Sequence, residues 1–536
     1  MGVLTTSSHT SRRGAGVALA VVISLMPLLI AVAETAFFYR RSLSHFLPHH
    51  SDEVQYWSMA RNFAAAGLHG GHHAINEKPP SWTFSHFNVH GPGFPVLYGS
   101  IAKVVGWHDG TILWINGALI ALAMYLFIRT TALTSLEAVV AGGVVCTCWP
   151  VQMYLPSSWQ ESLNQAIAIG LVALLAPLFD TRPRSRARIA GLVGLLLYAV
   201  FLRASWAILM VPAFLLIPAR LSKSRAFWAG TLAVATALTV VAIWTRMASP
   251  GASGTNQYLH MGGLLQNLTA LRAYAASNLA DIFYIPIARY ERVQHLQIAL
   301  VVIWCLAALN AAWRAGRSTV ERRQAALWTA SYNLVAVVAC TIVMYVVGNS
   351  GSFRVWAPHL LLSALLLLAT RQPGALWLCA CLVVVSLPGA RPLLGTFREY
   401  HADNFAYSEA AVGDASAVFE RVIHYERDLG PWCNSILSMN SPYVWAPIAR
   451  LPAGIGIGGL FSWEETALPL RSRYILVNPN ETRSLPTSGP IRLERQDNGV
   501  TRISFGTSGY FNGVELGTTP IGTVYQNLDA PCPRPR

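Results

Sequence analysis

Apolar runs of about 17–25 residues, each long enough to cross a bilayer, recur along the first 390 positions of this chain and restrict its fold more than any other feature. In lipid a backbone N–H or C=O finds no water, and a helix satisfies those groups within its own segment. The expectation is an α-helical polytopic membrane protein. Composition agrees: 53% of residues are apolar and 12% charged, where a soluble chain carries roughly a quarter charged. The formal charge of +14 suggests a nucleic-acid partner until the charges are placed. They gather in short loops, such as T-R-P-R-S-R-A-R (181–188) and R-A-G-R-S-T-V-E-R-R (314–323), so the positive-inside rule accounts for them and no nucleic-acid partner is expected.

That rule also orients the chain. Arg12 and Arg13 precede the first run, residues 15–37, which is longer than a signal-peptide core and reads as a signal anchor with a cytoplasmic N-terminus. Outer loops then fall at 38–110 and 247–295. Residues 189–218 read as a hairpin turning near Arg203, with basic residues at both ends. The count is about eleven spans, which leaves residues 391–536 outside. Arg40 and Arg41, on the outer side, go against the rule. The tail is rich in Gly, Pro, Asn and charge. An amphipathic stretch at 416–427 and strand-like runs at 434–440, 472–478 and 500–505 predict a small extracytoplasmic α/β domain. The domain division is thus 1–390 and 391–536. Six of the eight cysteines lie in or beside spans and read as small apolar fillers; Cys433 and Cys532 can pair if the tail is outside, though nothing in the sequence fixes their distance.

Chemistry is sought where charge meets the edge of an apolar run. Asp52 and Glu53 follow the first span, on the side away from the positive loops. A carboxylate there can take a proton from a hydroxyl beside a lipid-held substrate. Asp52 is read as general base, with Glu53 orienting it or helping to hold a metal ion; acids at a helix start are the plainer account of both. His69, His72, His73, His86 and His90 crowd the first loop. G-H-H with a nearby Glu admits a divalent metal, and a solvated loop is the plainer reading; no cofactor is otherwise implied. His260 and the tyrosines Tyr258, Tyr284 and Tyr290 lie in the 247–295 loop, read as an interfacial segment or a lid.

In order, the chain carries one span, D-E, then Ala60-Arg61-Asn62-Phe63, then Gly91-Pro92-Gly93-Phe94-Pro95. Glu161-Ser162-Leu163 follows in a later outer loop, then Phe201-Leu202-Arg203, then Phe353-Arg354-Val355-Trp356-Ala357-Pro358. This series resembles the GT-C membrane glycosyltransferases, in particular the branch with protein O-mannosyltransferases and lipid A aminoarabinose transferases. Departures occur: Ala204-Ser205 stand where a Pro-polar pair is usual, and Val355 where Tyr is usual. Glu77-Lys78-Pro79-Pro80 also resembles an E-K-P-P stretch of the aminoarabinose branch, which makes Glu77, like Glu161, a candidate second acid. The resemblance implies a GT-C-like fold and an inverting transfer from a polyprenyl-phosphate sugar to a hydroxyl of a lipid, glycan or protein acceptor. The site would lie at the outer face of a cytoplasmic membrane, a bacterial inner membrane being preferred. It implies that Arg203 and Arg354 bind the donor phosphate; snorkelling to the interface is the plainer role for each. Two other functions stay open: an O-antigen-type polysaccharide polymerase or ligase, and a transporter of lipid-linked sugars. The absence of a repeat and the surface position of the acids count against the transporter.

Overall fold

The structure, a computed structural model, describes residues 15–533 apart from 79–89, 180–184, 218–221, 249–267, 278–288, 316–319, 342–352, 389–413, 440–449, 461–465, 478–490 and gaps of three residues or fewer. The chain is mostly helical, with a mixed sheet built largely from its C-terminal part. The helices are α1 (Val17–Phe38), α2 (Asp52–Ala66), α3 (Gly93–Val105), α4 (Thr111–Thr130), α5 (Ser135–Thr147), α6 (Trp149–Tyr154) and α7 (Glu161–Leu175). They continue with α8 (Arg186–Leu202), α9 (Met210–Leu215), α10 (Lys223–Met247), α11 (Arg289–Arg314), α12 (Val320–Asn333), α13 (Phe353–Ala369) and α14 (Ala375–Pro388). Among the described residues five segments are long and apolar enough to cross a membrane: Val17–Phe37, Thr111–Thr130, Glu161–Leu178, Lys223–Met247 and Val293–Arg314. Helix α10 exposes Phe227, Trp228, Leu232 and Leu238, apolar surface that suits lipid. Helix α7 is the reverse: nearly all of it is buried, packed against α4, α8 and α13. It is the central post on which the charged cluster described below is built.

Two features differ from a plain reading of spans and loops. The first outer loop is not an open polar loop, for it holds α2 and α3. In α3 the spacing of Phe94, Tyr98 and Ala102 makes one buried face, while Val104 and Val105 are exposed. The hairpin at 189–218 has unequal limbs: α8 runs to Leu202, Arg203 is extended (φ −152°, ψ 120°), and a 3₁₀ turn, Ala204–Leu209, leads into the short α9. The break falls on the residue whose side chain leaves the helix for an ion pair.

The sheet has strands β1 (His73–Ile75), β2 (Ser435–Ser438), β3 (Gly456–Gly459), β4 (Tyr474–Val477), β5 (Arg492–Arg495), β6 (Thr501–Phe505), β7 (Gly509–Thr519) and β8 (Gly522–Asn527), in the order β1-β3-β2-β4-β8-β7-β6-β5. The first four run parallel; from β4 onward each pairing is antiparallel. Alternation along β2 and β4 divides the core: Ile436, Tyr474 and Leu476 face the cluster that includes Phe419 of the helix at 414–422, and Leu437, Ile475 and Val477 face Ile503 and Phe511. Cys433 and Cys532 form a disulfide with 5.5 Å between their Cα atoms.

Strand β1 comes from the first outer loop, not from the tail. His73 stands opposite Ile457 in parallel register, and Asn76 N–H donates to Gly459 O at 2.8 Å. The A-R-N stretch of α2 fastens the same side of the tail. Arg61 donates to Leu451 O at 2.8 Å; Asn62 donates to Ile455 O at 2.8 Å and accepts from Gly454 N–H at 2.9 Å. Arg450 grips Asp109 with two bonds, 3.1 and 2.9 Å long.

Candidate active site

Asp52 occupies the first turn of α2, where the helix end favours an anion. Its Oδ2 lies 3.5 Å from Nη2 of Arg354, in the first turn of α13, and its Oδ1 lies 3.7 Å from Nε2 of His90. Arg354 lies over the Trp159 ring at 4.5 Å, and its Nε is 3.9 Å from Oε1 of Glu161, in the first turn of α7. That same oxygen accepts a bond of 2.8 Å from Arg203 Nη2, whose other nitrogen donates to Val355 O at 3.3 Å. The result is a row of alternating charge, His90–Asp52–Arg354–Glu161–Arg203, drawn from five separate segments.

The row grades from open to buried. The Asp52 and Arg354 side chains keep 23% and 29% of their surface, while Arg203 keeps 12% and Glu161 2%. A ligand can therefore reach Asp52 and Arg354, whereas Arg203 and Glu161 form a pair that locks α7 to α8. Burial works to raise the Asp52 carboxyl, but the His90 ring and the Arg354 guanidinium overcome it and hold the group down at about 2. One turn along α2, burial and then the charges of Glu161 and Asp52 push the Tyr56 phenol well above its usual range, so it stays neutral.

The other acids singled out in the sequence are used differently. Glu53, beside Asp52, points away from Arg354; its Oε1 accepts the Ser158 N–H at 2.9 Å. That bond ties α2 to the turn that leads through Trp159 into α7. Among the described residues no three His, Cys, Asp or Glu side chains form a metal-holding group. Glu77 is not in the row. It is buried against the tail, its carboxylate accepting Arg471 N–H at 3.0 Å and Ser472 Oγ–H at 2.9 Å. The backbone there is left-handed at Asn76 and Glu77 (φ 51° and 58°), a turn that these bonds hold in place.

Burial pushes the Glu77 carboxyl up to about 7 against those bonds. A folded value raised above the ordinary 4.5 gives a stabilisation complete below the ordinary value and lost as pH rises through about 7. The expected span is about 3 kcal/mol. The unfolding midpoint of the detergent-solubilised protein should fall as pH rises from 4.5 to about 7 and level off above that, and Glu77→Gln should flatten that dependence. An unchanged slope in the variant would assign the effect to other groups.

His90 is the residue a loop reading hid. Its ring is part-buried and packs on Tyr56 at 4.7 Å, and its carbonyl accepts from Trp244 Nε1 of α10 at 3.3 Å. Gly91 follows with φ +70°, and a Cβ there would collide with the Trp244 indole. The glycine is needed twice over, for its backbone and for the close approach. His72, His86, His260, Tyr258 and Tyr284 lie outside the described residues. Below the row, Trp206 donates to Asn164 at 2.8 Å and stacks on His359 at 4.4 Å, polar groups that the sequence did not single out. A cavity of about 570 Å³ lined by Thr130, Arg188, Thr329 and Arg371 lies at the opposite ends of α4, α8 and α13, remote from Asp52.

No family model matches this chain, and no curated protein does. Among solved structures the chain is similar to ArnT from Cupriavidus metallidurans bound to undecaprenyl phosphate, at 11% identity and a TM-score of 0.43, over 84% of this chain and 87% of that one. It is also similar to the apo state of the same protein, at 14% identity and a TM-score of 0.36, with the same coverage of both chains.

Proposed function

We propose that this protein is an inverting membrane glycosyltransferase that takes a sugar from a polyprenyl-phosphate donor and places it on an acceptor hydroxyl at the outer membrane face. The observation that carries the reading is the accessible pair Asp52–Arg354, a carboxylate and a guanidinium 3.5 Å apart where α2 and α13 begin. The order of sequence motifs around D-E supports it independently. The disulfide supports an outer location for the tail, since such bonds persist in oxidising compartments.

In this reading Arg354 receives the donor phosphate, its fork matching two phosphate oxygens. The acceptor hydroxyl lies against Asp52 and gives up its proton as its oxygen attacks the anomeric carbon. The bond from that carbon to the phosphate oxygen breaks, and the electron pair leaves with the lipid phosphate. Arg354 neutralises the charge that develops there. Arg203 acts through Glu161, holding the row in register. Turning to the phosphate also takes the guanidinium away from Asp52 at the moment a base is required.

The test is a transfer assay on purified protein with a panel of polyprenyl-phosphate sugars and an envelope extract as acceptor. Release of polyprenyl phosphate from at least one donor is expected. Folded protein that releases none would turn the assignment toward a polymerase or a transporter.

A further inference from the structure

His90 has no task in the transfer as described, yet the fold goes to some length to place it. A glycine-dependent turn, a bond from Trp244 to its carbonyl and the face of Tyr56 fix the ring. Its Nε2 is buried and has no hydrogen-bond partner among the described residues, while Asp52 Oδ1 lies 3.7 Å away. That distance is longer than a hydrogen bond, so the nitrogen is aimed at the carboxylate without being committed to it. A buried, unpartnered nitrogen is costly in a finished structure unless it serves during function.

We propose that His90 is the proton sink of the transfer step: Asp52 draws the proton from the acceptor hydroxyl and His90 Nε2 takes it over. The proposal rests on the glycosyltransferase reading above. The acceptor O–H bond breaks as the new glycosidic bond forms. The proton passes through Asp52 and ends as Nε2–H, leaving an imidazolium beside a restored carboxylate. The bond between sugar and phosphate breaks with its electrons on the lipid phosphate, so charge and atoms balance without a further reactant. The imidazolium later returns its proton to solvent.

The physical case is that a carboxylate beside the Arg354 guanidinium is a weak base. Asp52, held down at about 2, is ionised throughout a working pH range but gives little driving force for keeping a proton. An imidazole is the side chain whose chemistry suits taking up and releasing a proton near neutral pH. The charged and titratable side chains facing His90 among the described residues are few. Asp52 and Tyr56 come from α2, Arg354 reaches the far oxygen of Asp52 from α13, and α10 contributes Trp244, which bonds the His90 carbonyl. The phenol stays neutral, which leaves the carboxylate as the group that couples to the ring.

The experiment measures transfer against pH for the wild type, His90→Gln and His90→Ala, with donor KM and unfolding midpoint recorded for each. In the wild type the sink predicts an acid-side limb in the rate, which Asp52, held down at about 2, cannot supply near neutrality. His90→Gln should lose that limb and about 10²-fold in kcat with little change in donor KM. Added imidazole should restore part of the activity of His90→Ala, a rescue that no packing role predicts. A variant that keeps kcat and the acid limb, or that raises donor KM alone, overturns the sink and makes His90 a packing or phosphate-binding residue. Those outcomes leave the glycosyltransferase reading standing, provided that the wild type releases polyprenyl phosphate and Asp52→Asn does not. A wild type without any turnover removes the reading and the sink together.

Discussion

Asp52→Asn should lower sugar transfer by about 10³-fold while leaving the unfolding midpoint in place. Asparagine keeps the size of the side chain and can still approach Arg354, so little packing is lost. What disappears is a base that is ionised at every working pH, since the wild-type carboxyl is held at about 2. The substitution also removes a negative charge 3.5 Å from the arginine assigned to the donor phosphate. Donor affinity should therefore stay constant or rise as kcat collapses. Retained transfer would rule out Asp52 as the proton acceptor. A collapse of donor binding instead would mean that the carboxylate helps hold the lipid, in conflict with its sign.

Arg203→Ala should act on stability before it acts on chemistry. Glu161 is almost wholly buried, its Oε1 bonded to Arg203 at 2.8 Å and its Oε2 without a hydrogen-bond partner among the described residues. Taking away the cation leaves a buried carboxylate with Arg354 as its remaining neighbour, at 3.9 Å. Breaking such a pair from one side costs about 3–5 kcal/mol, and removing both charges costs much less. The midpoint should drop by roughly 10 °C in Arg203→Ala and recover substantially when Glu161→Gln is added. Additive losses in the double variant would show that the two side chains act independently.

The four charged residues that the structure gathers into one row, Asp52, Glu161, Arg203 and Arg354, were visible because each interrupts the pattern where an apolar run ends. A charge at that depth is costly and stands out against its neighbours. Their partnership was not visible, since Arg354 meets Asp52 across 302 positions. Nor could sequence separate Asp52 from Glu53. Adjacent residues on a helix point about 100° apart, and only the placement of the Ser158 loop decides that one faces an arginine and the other a backbone amide. His90 looked like one of several loop histidines because its burial comes from Tyr56 and Trp244, on two other helices. Glu77 looked like a solvated loop acid because the tail that covers it lies nearly 400 positions further on. Of the tail strands β2, β4 and β6 were legible as apolar runs bounded by turn residues, while β3, β5, β7 and β8 were not read; nor was β1, whose three residues carry too short a pattern and whose pairing is decided by β3.

That borrowed strand sets an order of events in the making of the protein. The ribosome releases β1 early, and its edge stays unpaired until β3 has been translated. Loop closure over so long an interval is slow and late. The pairing of β1 is therefore among the last parts to settle, and chains cut short before the tail would carry the charged row without the strand partner of β1. On the glycosyltransferase reading, competence for transfer would then be gained only at the end of synthesis, and a premature stop would yield a protein without it.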